Sequence, residues 1–385
     1  MALVPFIHCL IFKYLSLPSC NVSEFPQFLR GSKSSQYLDL SNNSLSGNVS
    51  SLICKMTSLQ FLDLSHNNLS GIIPHCLGNL SDSLWMLNLQ MNKFYGIIPP
   101  TFTKGCQLKS LNLNGNQLEG PLTRSILNCR GPEVLDLGDN KINVTFPHWL
   151  GSLPELQVLV LRSNQLHGSI QDNRSGLSFS KIQIFDISSN SFSGALPVRY
   201  LKNFKAMINL TKDESAMQYI GSSNGYDLRF CSYSIGIVIK GVEMEVVKIF
   251  TKLTTIDLSN NKFRGEIPKV IGNLNSLKGL NLSHNNLSGS IPTSIGNLIG
   301  LEWLDLSSNK LVGTIPERLL DLTSLSVFNV SENHLQGQVP QGKQFNTFEN
   351  DSYDGNEGLC GFPVSKGCSN SKPPPSNLLE EDCSK

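Results

Sequence analysis

Leucine-like residues alternate with polar ones in a short frame, L-x-L-x-x-N, that recurs eleven times along the chain. Each copy ends on an asparagine, at Asn43, Asn67, Asn92, Asn116, Asn140, Asn164, Asn190, Asn261, Asn285, Asn309 and Asn333. Successive asparagines are 24 to 26 residues apart, except for an interval of 71 residues between the seventh and the eighth. A period of this length, sustained over so many copies, is typical of a repeat protein in which each unit contacts its neighbours.

The alternation within a unit predicts one short strand. In the unit at Leu280, the side chains of Leu280 and Leu282 are expected to point into the protein and that of Asn281 to point out. Stacked strands of this kind form a parallel sheet on a concave face. The frame asparagine that follows, here Asn285, is expected to be buried and to bond to backbone groups that the turn leaves unpaired. The ladder of asparagines is therefore predicted to be structural.

The second half of the unit reads L-x-G-x-I-P. Its glycine is present in ten of the eleven units, and Val144 replaces it in the fifth. Glycine permits backbone angles that other residues avoid, and proline fixes φ, so the chain is expected to turn here and return in an irregular or short helical segment. The predicted fold class is an α/β repeat solenoid with a concave parallel β-sheet.

Composition argues against several functions. The chain has 31 Lys and Arg against 30 Asp and Glu, without a basic run, so no nucleic acid is expected as a partner. The motif G-x-S-x-G at 221–225 lies among loop-forming residues, and the seven histidines are dispersed without a metal-binding motif. We therefore expect a binding protein with no catalytic residue, no metal and no cofactor.

Sequons for N-glycosylation are frequent, and only some of them follow from the repeat pattern itself. Together with ten cysteines they favour passage through the secretory pathway. Residues 1–12 are apolar but lack a basic start and a clear cleavage site, so a signal peptide remains open. The candidate glycosylation sites are Asn21, Asn48, Asn79, Asn143, Asn173, Asn209, Asn329 and Asn350.

Three longer strings resemble one family: FPHWLGSLPELQVLVLRSNQLHG at 146–168, KGVEMEVVKIFTKLTTIDLSNNKFRGEIP at 240–268 and GNEGLCGFPVSKGC at 355–368. They resemble the plant leucine-rich-repeat receptor-like proteins of the pathogen-recognition type, and the repeat frame resembles the plant extracellular leucine-rich repeat. The resemblance implies a plant-type superhelix on the extracellular side of the plasma membrane. It also implies a peptide or protein ligand and a co-receptor or adaptor kinase, in defence or developmental signalling.

The domain organisation follows from the period and the resemblance. In the family, an insertion of this kind is an island domain that folds against the concave face; the alternative is a tolerated surface loop. Family members also have an N-terminal cap and a membrane span, both absent from this chain, which suggests truncation. We expect a partial repeat at 1–35, repeats one to seven at 36–197, the island at 198–250, repeats eight to eleven at 251–340, a cap at 341–368 and a flexible acidic tail at 369–385.

Cysteines are expected to close the cap. A terminal unit must cover an apolar edge that no further repeat buries, and we expect Cys360 to pair with Cys368 for that purpose. The pairing of the remaining candidates is open between bridges and free thiols, at Cys54, Cys76, Cys106, Cys129 and Cys231.

The ligand site is expected where the concave face departs from its Asp and Asn background. Before the island, apolar side chains on this face form a strip beside one cation. Such a strip suits a peptide with an apolar segment and an acidic group. The alternative is that the strip packs against the island. The candidates are Val134, Val158, Val160, Arg162 and Ile184.

A co-receptor surface is expected on the last four strands, where the family resemblance places one. Trp303 is the main candidate, as an exposed aromatic anchor on a rigid sheet. The full set is Thr255, Asp257, Trp303, Asp305, Val327 and Asn329. Two other interpretations of the whole chain remain: a secreted inhibitor of a microbial wall-degrading enzyme, and a non-functional receptor fragment.

Overall fold

Parallel strands stack along one concave face of the protein, in a computed structural model that describes residues 13–49, 51–170, 178–209, 219–221, 233–239 and 241–368. They form one twelve-stranded concave sheet within this described part. The strands are Tyr14–Ser16, Tyr37–Asp39, Phe61–Asp63, Met86–Asn88, Ser110–Asn112, Val134–Asp136, Val158–Val160, Ile184–Asp186, Thr255–Asp257, Gly279–Asn281, Trp303–Asp305 and Val327–Asn329. The register sets equivalent residues side by side, such as Leu280 beside Leu304. The predicted repeat solenoid is confirmed.

The asparagine ladder holds neighbouring units together. The Asn309 amide donates to the backbone oxygens of Leu306 and Ser307 in its own turn and to that of Leu282 in the preceding unit, at 3.0 to 3.2 Å. Its oxygen accepts from the backbone N–H of Leu287 at 3.0 Å. Because one side chain satisfies four backbone groups, the structural role predicted for these asparagines is confirmed.

The glycine halves of successive units contribute strands to a second, lateral sheet, which was not predicted from the sequence. It has one piece of four strands, Ser46–Gly47, Asn68–Ile72, Lys93–Gly96 and Gln117–Leu118. Its other piece has seven strands, His167–Ser169, Ser191–Gly194, Lys262–Glu266, Asn286–Ser290, Lys310–Gly313, His334–Gln338 and Gly358–Cys360.

The break between the two lateral pieces has a local cause. Gly120 and Gly168 have φ values of 74° and 84°, a region that β-branched side chains rarely enter. Val144 stands at that position in the fifth unit, and Pro121 in the fourth has no N–H to donate to a neighbouring strand. Strand pairing therefore stops after Gln117–Leu118 and resumes at an isolated bridge between Thr145 and His167.

Short helices form the convex side, as the glycine–proline half predicts. The α-helices are His75–Asn79, Val198–Leu201 and Lys205–Ile208. The 3-10 turns are Gln27–Gly31, Ile53–Lys55, Leu80–Asp82, Arg124–Asn128, His148–Ser152, Lys269–Asn273, Thr293–Asn297, Glu317–Asp321, Lys343–Thr347 and Asn350–Ser352. The hydrophobic core runs between these helices and the two sheets along the whole stack. In the part of the chain that the structure describes, no helix has the length and apolar character needed to cross a bilayer.

In the described part of the chain, two disulfides tie adjacent turns and a third closes the cap. Cys54 is bridged to Cys76, and Cys106 to Cys129, each to a residue of the next unit. Cys360 and Cys368 form the third bridge, within the cap. Cys20 is exposed and free, and Cys231 lies outside the described residues.

The cap also extends the ladder by one asparagine beyond those identified from the sequence. Asn356 donates to the backbone oxygens of Val330 and Tyr353 and accepts from the N–H of Leu335, at 2.8 to 3.0 Å. The cap therefore imitates one further repeat, although its sequence lacks the L-x-L-x-x-N frame.

The first residues assigned to the island belong to the solenoid instead. In the two helices at 198–208, Tyr200, Leu201, Phe204 and Met207 are buried in the main core. The backbone oxygen of Met207 also accepts from Ser276 in a later unit. The expected boundary at residue 198 is therefore wrong, because these side chains complete the seventh unit.

The described part of the island is a β-hairpin. Its antiparallel strands are Ile235–Ile239 and Val242–Val246. This accords with the strand-like alternation in the sequence of the insertion. We call these two strands, with residues 233 and 234 before them, the island hairpin.

The concave face as candidate recognition site

The island hairpin lies on the concave sheet through an apolar contact. Tyr233, Ile235 and Ile237 form one buried cluster with concave residues of the fifth to seventh units. The insertion thus buries its apolar residues on the solenoid instead of extending as a loop.

This contact covers the apolar strip expected to bind a ligand. The side chains of Val134, Val158, Val160 and Ile184 are all 0% exposed and belong to the cluster with the hairpin. Arg162 is also buried, at 4% exposed. The expectation of an accessible ligand strip is therefore wrong for this arrangement, and the alternative, packing against the island, describes these residues.

Polar contacts fix the register of the hairpin on the sheet. The Asn112 amide donates to the backbone oxygen of Ser234 at 2.8 Å, and the backbone N–H of Gly236 donates to Asp136 Oδ2 at 3.2 Å. A Cβ on Gly236 would lie 2.9 Å from Arg162 Nη2. A side chain at this position would therefore push aside the end of the arginine where the hairpin backbone crosses it.

The groups around this crossing are charged and buried. Arg162 Nη2 lies 3.0 Å from Asp139 Oδ2, so the cation is paired within the solenoid. Burial raises the pKa of the Asp136 carboxyl to about 7, opposed by hydrogen bonds from Gly138, Asn114 and Gly236 and by the Arg162 charge. Closing the hairpin over Asp136 thus favours its protonated form.

The outer strand of the hairpin is held by a second anchor at its edge. Glu245 Oε2 lies 3.2 Å from His66 Nε2, and Glu245 also accepts a hydrogen bond from the Gln90 amide. The hydrogen bond to Glu245 raises the pKa of His66, and the same bond lowers the pKa of Glu245. Both side chains are more than a third exposed, so solvent weakens this pair.

The concave face after the island has a buried and an accessible portion. Thr255 and Asp257 are buried in the strand that follows the island. Trp303 is 5% exposed, because its ring lies flat against Gly279, where a Cβ would come within 1.9 Å of the ring. The expectation of an exposed Trp303 is wrong, since the glycine in the preceding strand leaves a space that the indole fills.

Three of the co-receptor candidates remain half-exposed: Asp305, Val327 and Asn329. Asp305 Oδ1 accepts from the backbone and hydroxyl of Ser307, and Asn329 Oδ1 accepts from the backbone of Ser331. These turns hold the polar side chains in place on the rigid sheet. The last two strands therefore present an ordered, solvent-accessible polar surface.

Two carboxyls face each other where the chain leaves and rejoins the sheet. Asp186 and Asp257 are paired in register on adjacent strands. Burial, with the Asp186 charge, raises the pKa of Asp257 to about 7, and burial also raises the pKa of Asp186. Asp186 Oδ2 is buried without a hydrogen-bond partner. Two such carboxyls cannot both ionise without penalty, so burial and their mutual repulsion favour a protonated form of the pair.

Several residues at this surface were not predicted from the sequence. His66, Gln90 and Glu245 lie far apart in sequence, and only the fold brings them together. Gly236 interrupts an apolar alternation, which is a detectable sign of close backbone approach. Exposed apolar side chains on and after the outer hairpin strand include Val242, at 58% exposed, and Met244, at 41%.

The described residues contain no group of three or more His, Cys, Asp or Glu side chains arranged to hold a metal ion. The motif at 221–225 lies almost wholly outside the described residues, as does the sequon at Asn173. The expected sequon asparagines that the structure describes are exposed, except Asn329, which is half-exposed: Asn21, Asn48, Asn79, Asn143, Asn209 and Asn350.

Comparison with known proteins agrees with this architecture. Two family models described as leucine-rich repeat match the chain, one at 106–166 and 251–311 and the other at 34–56 and 58–80. These matches identify leucine-rich repeats at those residues, in agreement with the stacked units of the fold.

Curated relatives indicate which kind of leucine-rich-repeat protein the chain resembles. Receptor-like protein 32 of Arabidopsis thaliana is 45% identical over 246 residues, which are 63% of this chain and 27% of the relative. Receptor-like protein 18 of the same plant is 40% identical over 294 residues, 70% of this chain and 34% of the relative. Among leucine-rich-repeat proteins, the chain is therefore similar to those of the plant receptor-like type, and it spans about a third or less of the length of these two relatives.

Solved structures give the same fold. The plant peptide hormone receptor RGFR1, solved in complex with RGF2, matches with a TM-score of 0.66 and 26% sequence identity. The match covers 88% of this chain and 50% of the receptor.

Proposed function

We propose that the chain is an extracellular recognition region of a plant cell-surface receptor-like protein, which binds a peptide or protein ligand and engages a co-receptor or adaptor kinase in defence or developmental signalling. One observation carries the proposal: the concave face is divided. Its middle is occupied by the chain's own island, and its last two strands present an ordered polar surface that nothing in the described part of the chain covers.

The ligand, in this proposal, meets the outer surface of the island and not the apolar strip beneath it. Val134, Val158, Val160 and Ile184 hold the island in place, and Arg162 supports its backbone. Val242, Met244 and Val247 project from the outer strand and the residues after it. Grouped apolar side chains that remain exposed on a rigid surface are typical of protein recognition.

The co-receptor, in this proposal, contacts Asp305, Val327 and Asn329. Thr255, Asp257 and Trp303 act beneath that surface as support. The sequon at Asn329 bears directly on this assignment, because a glycan there would cover the same patch. Co-receptor contact at Asn329 therefore requires that this sequon is not occupied.

A charge reversal with a matched control tests the co-receptor surface. Asp39 and Asp305 occupy the same place in their units, are both half-exposed and make the same two bonds to a following serine. Binding of the secreted chain to immobilised ectodomains of plant leucine-rich-repeat co-receptor kinases would be measured by surface plasmon resonance. Asp305→Arg should weaken binding at least tenfold, about 1.4 kcal/mol, and Asp39→Arg should leave it unchanged.

Equal weakening by both variants would contradict the assignment, and so would wild-type binding by Asp305→Arg. Glycopeptide mass spectrometry on the same preparations decides the question of Asn329. A fully occupied sequon there would exclude this residue from the contact.

A further inference from the structure

The break in the lateral sheet opens a cleft on the outside of the solenoid. Its volume is about 270 Å³. It lies between the fourth and fifth units, where Pro121 and Val144 stop strand pairing. Its lining includes Pro121, Leu122, Arg124, Thr145, His148 and Trp149, and no acidic residue lines it in the described part of the chain.

The cleft combines an apolar wall with polar groups at its edge. Trp149 is half-buried and stands among proline and leucine side chains. Arg124 and Thr145 are exposed and can donate hydrogen bonds, and His148 is held in place through Nδ1, 2.6 Å from the Tyr200 hydroxyl. An aromatic face with nearby donors suits a pyranose ring, whose C–H face is apolar and whose hydroxyl and acetamido oxygens accept hydrogen bonds.

A sequon for N-glycosylation in the wall of the cleft provides an attachment point for such a ring. Val144 and Thr145, which line the cleft, are the second and third residues of the sequon Asn143-Val144-Thr145. Asn143 and Thr145 are both exposed. The chain bends at Val144, and two residues of backbone span at most about 7 Å, so Asn143 lies within about 7 Å of Thr145 in the wall. A sugar attached to Asn143 therefore begins at the rim of the cleft.

We infer that Asn143 is N-glycosylated and that the first N-acetylglucosamine residues of this glycan lie in the cleft, against Trp149 and within reach of Arg124. The glycan then covers apolar surface that the missing strand pairing leaves open. It also removes this part of the lateral face from contact with a protein partner. The inference requires only that the chain passes through the secretory pathway, so it stands apart from the receptor role proposed above.

Accessibility of Trp149 tests the inference. The full chain would be secreted from plant cells, and glycopeptide mass spectrometry would establish the sugar on Asn143. The folded protein would then be oxidised briefly with N-bromosuccinimide. Peptide mapping then compares the oxidation rate of Trp149 with that of Trp85, which lies on the concave side. Asn143→Gln removes the attachment point without altering a lining residue, and it should raise the rate at Trp149 several-fold while the rate at Trp85 stays constant.

The matched control is Asn350→Gln, which removes an exposed sequon in the cap and should leave Trp149 unchanged. A second measurement uses the enzyme endoglycosidase H on folded protein carrying high-mannose glycans. The glycan at Asn143 should be released several-fold more slowly than the one at Asn350, and Trp149→Ala should abolish the difference. The inference is overturned if Asn143 carries no glycan, if oxidation of Trp149 is the same with and without it, or if both glycans are released equally fast.

Discussion

The units before the island and those after it use the same frame for different purposes. Asp136 and Asp305 occupy equivalent places on the concave sheet, yet Asp136 is fully buried and Asp305 is half-exposed. The cause is the island hairpin, which covers the first position and does not reach the second. Equivalent local sequence therefore produces a binding site for the chain's own insertion in one half and an open surface in the other.

The scaffold itself does not differ between the halves. Asn140 and Asn309 each make three donor contacts to backbone oxygens and accept one backbone N–H. The difference is confined to what lies on the sheet. Variants of the asparagine ladder test the scaffold, and variants of the hairpin test what lies on the sheet. The ladder variants should cause the largest loss of stability.

Replacing either ladder asparagine by alanine should destabilise both halves equally. Asn140→Ala and Asn309→Ala each remove four hydrogen bonds and leave one backbone N–H, that of Leu118 or Leu287, without a partner. The three carbonyls keep a second donor from a neighbouring unit. Because an unsatisfied buried group costs about 1–3 kcal/mol and each other lost bond about 0.5–1.5 kcal/mol, a loss of roughly 3 kcal/mol is expected. Urea denaturation measures the loss. Asn297→Ala, at an exposed position, is the control. A loss that appears in only one of the two ladder variants would break the equivalence of the halves.

A charge under the island should detach the hairpin and expose the first half. Ile237 is 1% exposed and lies in the cluster with the concave sheet. In Ile237→Asp an unpaired carboxylate would be buried at a cost of several kcal/mol, so hydrogen exchange in residues 233–246 should accelerate. Val242→Asp, on the exposed side of the same hairpin, should leave the exchange unchanged. Unaltered protection in Ile237→Asp would show that apolar contact does not hold the island.

Rising pH should loosen the same contact. The pKa of Asp136 is raised from 3.8 to about 7 under the hairpin. A raised carboxyl pKa means that the closed state holds the proton more tightly, so the stabilisation is present at low pH and is lost as pH rises through the raised value. The raised pKa of His66 acts in the same direction.

Hydrogen exchange of the hairpin, corrected for the intrinsic rate at each pH, should therefore show less protection at pH 8 than at pH 5.5. Asp136→Asn should reduce this dependence, because an amide cannot ionise yet can still accept from Gly236. Protection in the last three units, from Gly279 onward, should not follow the same curve. Greater protection of the hairpin at pH 8 than at pH 5.5 would contradict the expected loss of stability with rising pH.

The smallest effect is expected at the edge of the hairpin. Glu245→Gln removes the ion pair with His66, and since both groups are partly exposed, the loss should be about 0.5 kcal/mol or less. Thermal unfolding at pH 5.5, where His66 is charged, measures it. Lys181→Gln, in an exposed pair with Glu155, provides a control of similar exposure. A loss as large as that of Ile237→Asp would make the ion pair, and not the apolar contact, the main anchor.

Much of the fold follows from the sequence because the determinants are local and repeated. The period predicts the stack, the leucine alternation predicts which side chains enter the core, and the frame asparagine predicts the ladder. The lateral sheet was not predicted, because its strands carry glycine and serine instead of an alternating apolar and polar pattern. The boundary of the island was misplaced because the helices at 198–208 lack the repeat frame although they fill the core.

The candidate site was predicted less well, for a related reason. Val134, Val158 and Val160 are unusual for concave positions, so their departure from the background was visible in the sequence. Whether they meet a ligand or the island depends on where a distant hairpin folds. Likewise, Trp303 is apolar and outward in its strand, but its exposure depends on the glycine in the neighbouring strand.

By itself, the sequence determined the repeat, the direction of each side chain along a strand and the position of the insertion, since these depend on neighbouring residues and on a constant period. The tertiary structure alone decided which concave residues are covered, which carboxyls keep a proton and where the lateral sheet opens. Those properties arise from contacts between segments far apart in the chain, such as Gly236 over Asp136 and Glu245 beside His66. No local pattern encodes such a contact, because burial and charge pairing depend on what the folded chain brings to a surface.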